Sequence, residues 1–195
     1  MPLNKDRFEL IVSKLAELKD TSELMIDLAY SSLLLNSSHL AEEVSALEEH
    51  MDKQHTRFEQ LVLSCGFEPE ESKDFLGLIR LGVATEQIAD AGAEIAEVVL
   101  RGLRPHAVLK QAIEEAEETV ARVTVSVHSE LIGKTLRQAQ MHEDTGMWIL
   151  AIRRGDRWLR PRPSAVIKEN DVLIASGYAG GEADLEGLAS PEYSV

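Results

Sequence analysis

Apolar positions recur at three- and four-residue spacing through the first hundred or so residues and then switch to alternation, so the chain reads as helices followed by strands. Asp20-Thr21-Ser22-Glu23 supplies capping residues ahead of a helix reaching about Asn36. Ser38 can cap a second helix, whose seam is Leu40, Val44, Leu47, Met51, Phe58 and Val62. Gly66 and Pro69 end it. Glu70, Glu71 and Asp74 sit where the positive end of a third helix favours acids, and Arg101-Gly102 is a stop signal. Three long helices with short connections predict an antiparallel three-helix bundle over residues 1–104. Pro105 opens a shorter acidic linker helix over 105–118.

Residues 119–195 predict a small α/β domain, so the fold class is α+β. Val120–Val127 alternates as a strand, and Ser129–Gln140 reads as a short helix. Trp148–Arg153 and Arg157–Arg160 read as strands paired around Gly155-Asp156. Val172–Ser176 follows the turn Glu169-Asn170-Asp171, and a last helix is expected near Asp184–Leu188.

Charge sharpens this division. The 195 residues are 44% apolar and carry a net charge of −14. Residues 1–118 hold 11 basic and 24 acidic side chains, and residues 119–195 hold 9 and 10. Such an acidic chain argues against a nucleic-acid partner, since phosphate binding needs clustered Lys and Arg. The single cysteine, Cys65, cannot close an internal disulfide and extends the apolar run Leu61-Val62-Leu63, which predicts a buried structural thiol and a reducing compartment. Lys5, Asp6 and Arg7 do not fit a signal peptide, and Leu24–Leu35 is too short to span a bilayer. The expected location is cytoplasmic, peripheral to a membrane only through a partner.

The second half resembles the TrkA C-terminal domain, also called RCK_C. The resemblance rests on Leu131-Ile132-Gly133-Lys134-Thr135-Leu136, Ile149-Leu150-Ala151-Ile152-Arg153-Arg154, Pro161 with Pro163, and Asn170-Asp171-Val172-Leu173 leading to Gly177. It implies a dimerising module that binds small ligands and regulates potassium channels or transporters. The first half resembles a single PhoU-type repeat, through Thr85-Glu86-Gln87-Ile88-Ala89-Asp90-Ala91-Gly92-Ala93-Glu94-Ile95-Ala96-Glu97. That resemblance implies that E-x-x-x-D pairs can hold metal ions. Glu94 stands where an asparagine is usual, and one repeat is present where full-length relatives have two.

One E-x-x-x-D falls on each long helix: Glu23/Asp27, Glu48/Asp52 and Glu86/Asp90. Carboxylates four apart share a helix face and repel, costing a few tenths of a kcal/mol, roughly, per pair. Water, basic partners or a cation must offset this. Two readings stand, a solvated acidic face or a divalent metal site formed by Glu48, Asp52, Glu86 and Asp90. Hard cations such as Mg²⁺ and Ca²⁺ suit carboxylates, and iron or zinc would also accept His55. On the third helix the acidic stripe continues the face of Ile79 and Val83, while Leu81, Ile88, Ile95 and Val99 form the opposite face. A helix apolar on two sides is expected to pack against two partners.

Other chemistry is weaker. Gly133-Lys134-Thr135 lacks the glycine that a phosphate-binding loop needs, because His128 stands there. Gly177, Gly180 and Gly181 follow a last strand, not the first strand of a dinucleotide-binding unit. The six histidines show no metalloprotease spacing, and no nucleophile–base arrangement is visible. A hydrolase using two metals would need a cleft that the sequence does not show, and no enzymatic activity is expected. Five arginines, 153, 154, 157, 160 and 162, surround Trp158 on the predicted hairpin. Guanidinium forks suit phosphates and an indole suits stacking on a base. The TrkA-C resemblance implies a ligand, such as a cyclic dinucleotide or another nucleotide, beside the strand Ile149–Arg153, with Ile152, Arg153, Arg154 and Arg160 as candidate contacts. The alternatives are an exposed hairpin or pairing with an acidic neighbour. The expected protein is a non-catalytic, homodimeric regulatory subunit of a membrane potassium channel or transporter that senses a small molecule. The alternative is a metal-binding PhoU-like adaptor in phosphate signalling.

Overall fold

The computed structural model describes residues 5–66, 68–103, 108, 111, 118–155 and 157–191. The chain divides into two compact units, Met1–Leu103 and Arg104–Val195. The expected linker helix over 105–118 lies almost wholly outside the described residues.

The first unit holds three long helices, α1 (Lys5–Leu34), α2 (Ser38–Ser64) and α3 (Ser72–Leu100), each packed on the other two. Helix α1 corrects the sequence expectation: it runs unbroken through Asp20-Thr21-Ser22-Glu23. The Thr21 hydroxyl donates to the Glu17 carbonyl and the Ser22 hydroxyl to the Lys19 carbonyl. Hydroxyls expected to cap a helix start are thus satisfied inside it. The cap of α2 is Ser37, one residue before the expected Ser38, and its hydroxyl accepts from the Leu40 amide. Asn36, at φ 48, makes the turn between the helices. Arg7 near the start of α1 donates to the Ser64 carbonyl at the end of α2, and Thr21 Oγ1 lies 3.1 Å from the Gln54 side-chain amide, so the two run antiparallel. A single 3-10 turn, Pro69–Glu71, leads into α3.

The buried residues of α3 are mostly small: Gly82, Thr85, Ala89, Gly92 and Ala96, with Phe75 and Val99 towards the ends. Small side chains let the backbones approach. A Cβ on Gly82 would stand 2.8 Å from the Phe58 ring, which is fully buried, and one on Gly92 would lie 3.4 Å from the Met25 carbonyl. The expected face of Leu81, Ile88, Ile95 and Val99 is therefore split. Val99 is buried, whereas Leu81 and Ile88 are each 50% exposed. Cys65 is half-buried, its Sγ 3.2 Å from the Leu61 carbonyl oxygen.

The second unit is a four-stranded antiparallel sheet of β1 (Glu118–Thr124), β2 (Met147–Arg154), β3 (Arg157–Leu159) and β4 (Val172–Tyr178), in the order β1-β4-β2-β3. The expected hairpin is present as β2–β3, with Arg154 opposite Arg157 and Arg153 opposite Trp158. The expected helix over Ser129–Gln140 is not. Gly133 at φ +82 keeps the preceding residues in turns, and Thr135 with Gln138 forms a capping box that starts a helix only at Leu136. Gln140, left-handed at φ 46, then separates α4 (Leu136–Ala139) from α5 (Met141–Thr145). Helix α6 (Gly181–Ala189) closes the chain, and a Cβ on Gly181 would collide with the Thr145 carbonyl oxygen. One sheet face, with Ala121, Val123, Met147, Ile152, Leu173 and Ala175, shares a core with Leu185 and Ala189 of α6.

A bulge in β2 decides which side chains meet that core. Pairing with β4 shifts register between Ile149 and Ala151, so Met147, Ile149 and Ile152 share a face despite their uneven spacing. Ile152 goes in. Arg153 points the other way, on the face of Ala151.

Candidate functional site

The first unit carries an open groove of about 750 Å³ between α2 and α3, lined by Ser45, Glu48 and Asp52 of α2 and by Glu86, Asp90, Glu94 and Glu97 of α3. Antiparallel packing of the two helices brings successive turns of one against those of the other, so two E-x-x-x-D pairs face each other. Asp52, Glu86 and Asp90 each offer a carboxylate oxygen, and these oxygens lie within 4.8 Å of one another. Two oxygens on opposite sides of one Ca²⁺ ion are separated by about 4.6–5.2 Å, so the three can share an ion without backbone movement. Glu48 lines the same groove but stands outside this trio. The third pair, Glu23/Asp27 on α1, does not line the groove, and Glu23 is bonded to Lys19.

The electrostatics agree with the geometry. Partial burial first, then Asp52 and Asp90, hold the Glu48 carboxyl above the usual carboxylate range. Glu86 is pushed the same way by burial, then by Asp90, with His55 opposing. His55 is largely buried, and its Nε2 accepts or donates no hydrogen bond among the described residues, with Glu59 at 3.6 Å. Glu97, which also lines the groove, is tied by Arg101 at 2.8 Å. A groove of carboxylates with little basic compensation fits a hard divalent cation.

The arginine hairpin separates into parts. Arg154 donates from Nε to Asp171 Oδ1 at 2.8 Å, and from Nη2 to Asp171 Oδ2 at 2.7 Å and to the Val166 carbonyl at 2.6 Å. Asp171 is fully buried and also accepts the Lys168 amide at 2.8 Å. The bonds to Asp171 raise the Arg154 pKa further. Arg154 is thus a clamp joining β2 to the turn before β4, with its donors directed inward. Ile152 is 0% exposed in the core and offers no surface to a ligand. Both depart from the expected ligand set for the same reason: the bulge turns Ile152 inward and aligns Arg154 with Asp171. Arg153 and Arg160 remain half-buried near the surface.

Sequence reasoning missed a second groove in this unit, of about 440 Å³, lined by Leu136, Met141, His142, Trp148, Ile149, Pro161 and Pro163. Trp148 is 61% exposed and its ring stacks on His142, centroids 3.7 Å apart at 23°. An exposed indole one position from an alternating core pattern was the available signal.

Comparison with known proteins follows this division. Residues 15–99 match the PhoU domain and residues 120–189 match the TrkA-C domain. The chain carries a PhoU domain followed by a TrkA-C domain. An uncharacterized transporter of Synechocystis, sll0640, is 36% identical over 66 residues, which are 33% of this chain and 11% of the transporter. The chain therefore spans about a ninth of that relative's length. Among solved structures, the RCK_C domain dimer of S. agalactiae BusR in complex with c-di-AMP is 24% identical, covering 37% of this chain and 97% of the other at a TM-score of 0.36. The RCK C domain of the potassium transport protein KtrA, also in complex with c-di-AMP, is 21% identical, covering 41% and 93% at 0.34. BusR in complex with its busAB promoter DNA is 14% identical, covering 85% and 99% at 0.36. That complex holds DNA, the partner class that this chain's negative charge argues against. No helix among the described residues is long and apolar enough to cross a membrane.

Proposed function

We propose that this chain is a non-catalytic regulatory subunit of potassium or other cation transport whose TrkA-C domain senses a small ligand. The observation that carries the reading is the succession of a PhoU domain and a TrkA-C domain on one chain. KtrA, whose RCK C domain binds c-di-AMP, is a potassium transport protein, which supports the ligand class and the process. In this reading Arg153 and Arg160 hold ligand phosphates, while the groove beside Trp148 offers an indole face and two prolines to a base. Arg154 and Ile152 serve the fold.

Calorimetry of the full chain with c-di-AMP, AMP, ATP and NAD tests it. A charge-assisted hydrogen bond is worth roughly 1.5–3 kcal/mol, so Arg153→Ala should weaken binding about ten- to a hundredfold. Arg162→Ala, between two prolines, should matter less. Absence of heat with every nucleotide for the unmodified chain would remove nucleotide sensing from the reading, and a short busA-type duplex in the same series tests DNA.

The acidic groove favours a second role for the same chain: divalent-cation binding by Asp52, Glu86 and Asp90, with Glu48 as a further ligand. If the cation alone proves functional, a PhoU-like phosphate-signalling adaptor becomes the better description.

A further inference from the structure

Helix α3 presents to solvent a face that its own unit does not cover. Gly77, Ala84 and Ala91 recur every seven residues and are exposed, and a Cβ on Gly77 would meet nothing within 4 Å. Interleaved with them are Leu81 and Ile88, each half-exposed, and the partly buried Ile95. Spacing of four, three, four, three and four is a heptad seam. Globular helices place such a seam inward, yet α3 buries a different set, Gly82, Thr85, Ala89, Gly92 and Ala96.

The seam is complementary to itself. If two copies of α3 run antiparallel about a two-fold axis near its midpoint, each large residue meets a small one: Leu81 meets Ala91, Ile88 meets Ala84, and Ile95 meets Gly77 of the other copy. The same register places exposed Arg80 of each copy beside exposed Glu94 of the other, and sets the two Gln87 side chains against each other at the axis. Neither Arg80 nor Glu94 has an ion-pair partner among the described residues of its own chain. Glu94 also rims the acidic groove, so the incoming Arg80 adds positive charge to a rim where Arg101 is already engaged with Glu97. Shifting one copy by a heptad sets Arg80 against Arg101 in one direction and, in the other, leaves Ile95 opposite residue 70, before α3 begins. Shape and charge thus select one partner and one alignment.

We infer that the exposed face of α3 is a self-association surface, on which a second copy of this chain docks its own α3 antiparallel, with Leu81 against Ala91, Ile88 against Ala84 and the two Gln87 side chains flanking the axis. The interface lies wholly within the PhoU domain. It goes beyond ligand sensing by the TrkA-C domain and does not rest on it.

Disulfide trapping in the full chain tests the alignment directly. In a Cys65→Ser background, Gln87→Cys places two thiols at the axis, and mild oxidation should convert it to a covalent dimer faster than Lys53→Cys on exposed α2. Arg80→Glu should slow that trapping, and Arg80→Glu with Glu94→Arg should restore it, because the exchanged pair regains its partners. Ile88→Glu should abolish it while leaving the helical circular dichroism unchanged, since Ile88 is already 50% exposed in its own chain. Trapping of Gln87→Cys no faster than of Lys53→Cys would overturn the proposal. So would failure of the double exchange to restore what Arg80→Glu loses. Dimerisation through the TrkA-C domain alone would raise the trapping of Gln87→Cys and Lys53→Cys together and would not make it depend on the Arg80 and Glu94 exchange.

Discussion

Two carboxylates illustrate how differently the two domains use negative charge. Asp171, in the TrkA-C domain, is fully buried, and three donors from Arg154 and the Lys168 backbone fill its oxygens. Asp90, in the PhoU domain, is half-buried among Asp52, Glu86 and Glu48, with no ion pair to a base among the described residues. The first is a completed structural unit: desolvation is offset by a bidentate guanidinium and a backbone amide. The second is incomplete. Its neighbours repel it, and a cation would reverse the sign of that interaction. A satisfied carboxylate holds a fold together, whereas an assembled and unsatisfied group is available for binding.

The comparison breaks most sharply at Arg154. Arg154→Ala leaves Asp171 charged, buried and short of two donors, which should cost about 3–5 kcal/mol. Both tryptophans, Trp148 and Trp158, lie in the TrkA-C domain, so denaturant unfolding followed by tryptophan fluorescence reports that domain. The midpoint should fall steeply for Arg154→Ala and much less for Arg153→Ala. Equal effects would mean that the clamp is not what distinguishes the two arginines.

The next test concerns the other carboxylate group. Mg²⁺, Ca²⁺ or Mn²⁺ binding only the native state should stabilise the PhoU domain by about 2.7 kcal/mol at a hundred times the dissociation constant. Helical circular dichroism on heating is the readout, since α1, α2 and α3 dominate it. Asp90→Asn keeps the shape, removes one ligand charge and should lose most of the cation-induced rise. An unchanged melting curve with all three ions leaves a solvated acidic face as the sole reading of the groove.

Much of this was legible in the sequence because it rests on periodicity. The switch from three- and four-residue spacing to alternation marks where helices give way to strands, and the facing E-x-x-x-D pairs of α2 and α3 follow from antiparallel packing. Three features were not legible, each for a local reason. The hydroxyls at Thr21 and Ser22 suit a helix cap and a back-bond equally well, so sequence placed a break where α1 continues. The small residues of α3 give no hydrophobic signal, yet they form its buried face, so the sequence showed Leu81 and Ile88 as an apolar side without showing which side its own unit covers. The β2 bulge inverts the alternation after Ile149, which reassigns Ile152 and Arg154 from ligand contacts to core and clamp.

The smallest expected effect is on the pH dependence of the acidic groove, through Glu48 and Glu86. Glu48 and Glu86 are held above the ordinary carboxylate value of 4.5 by partial burial and by neighbouring acids. Between that value and their raised folded values, the native state binds more protons than the unfolded chain. Stability contributed by these groups is therefore present on the acid side and declines as pH rises through the window. Above the window both are ionised and the repulsion with Asp52 and Asp90 is complete. The PhoU domain should accordingly lose thermal stability from mildly acid to neutral pH, by a modest amount because both groups are partly solvated. Asp90→Asn removes a repelling neighbour from each, so its decline should be shallower than that of the unmodified chain. Saturating divalent cation favours the ionised forms and should flatten or reverse the slope. Melting curves across that pH range with identical slopes for Asp90→Asn and the unmodified chain would show that Asp90 is not coupled to Glu48 and Glu86.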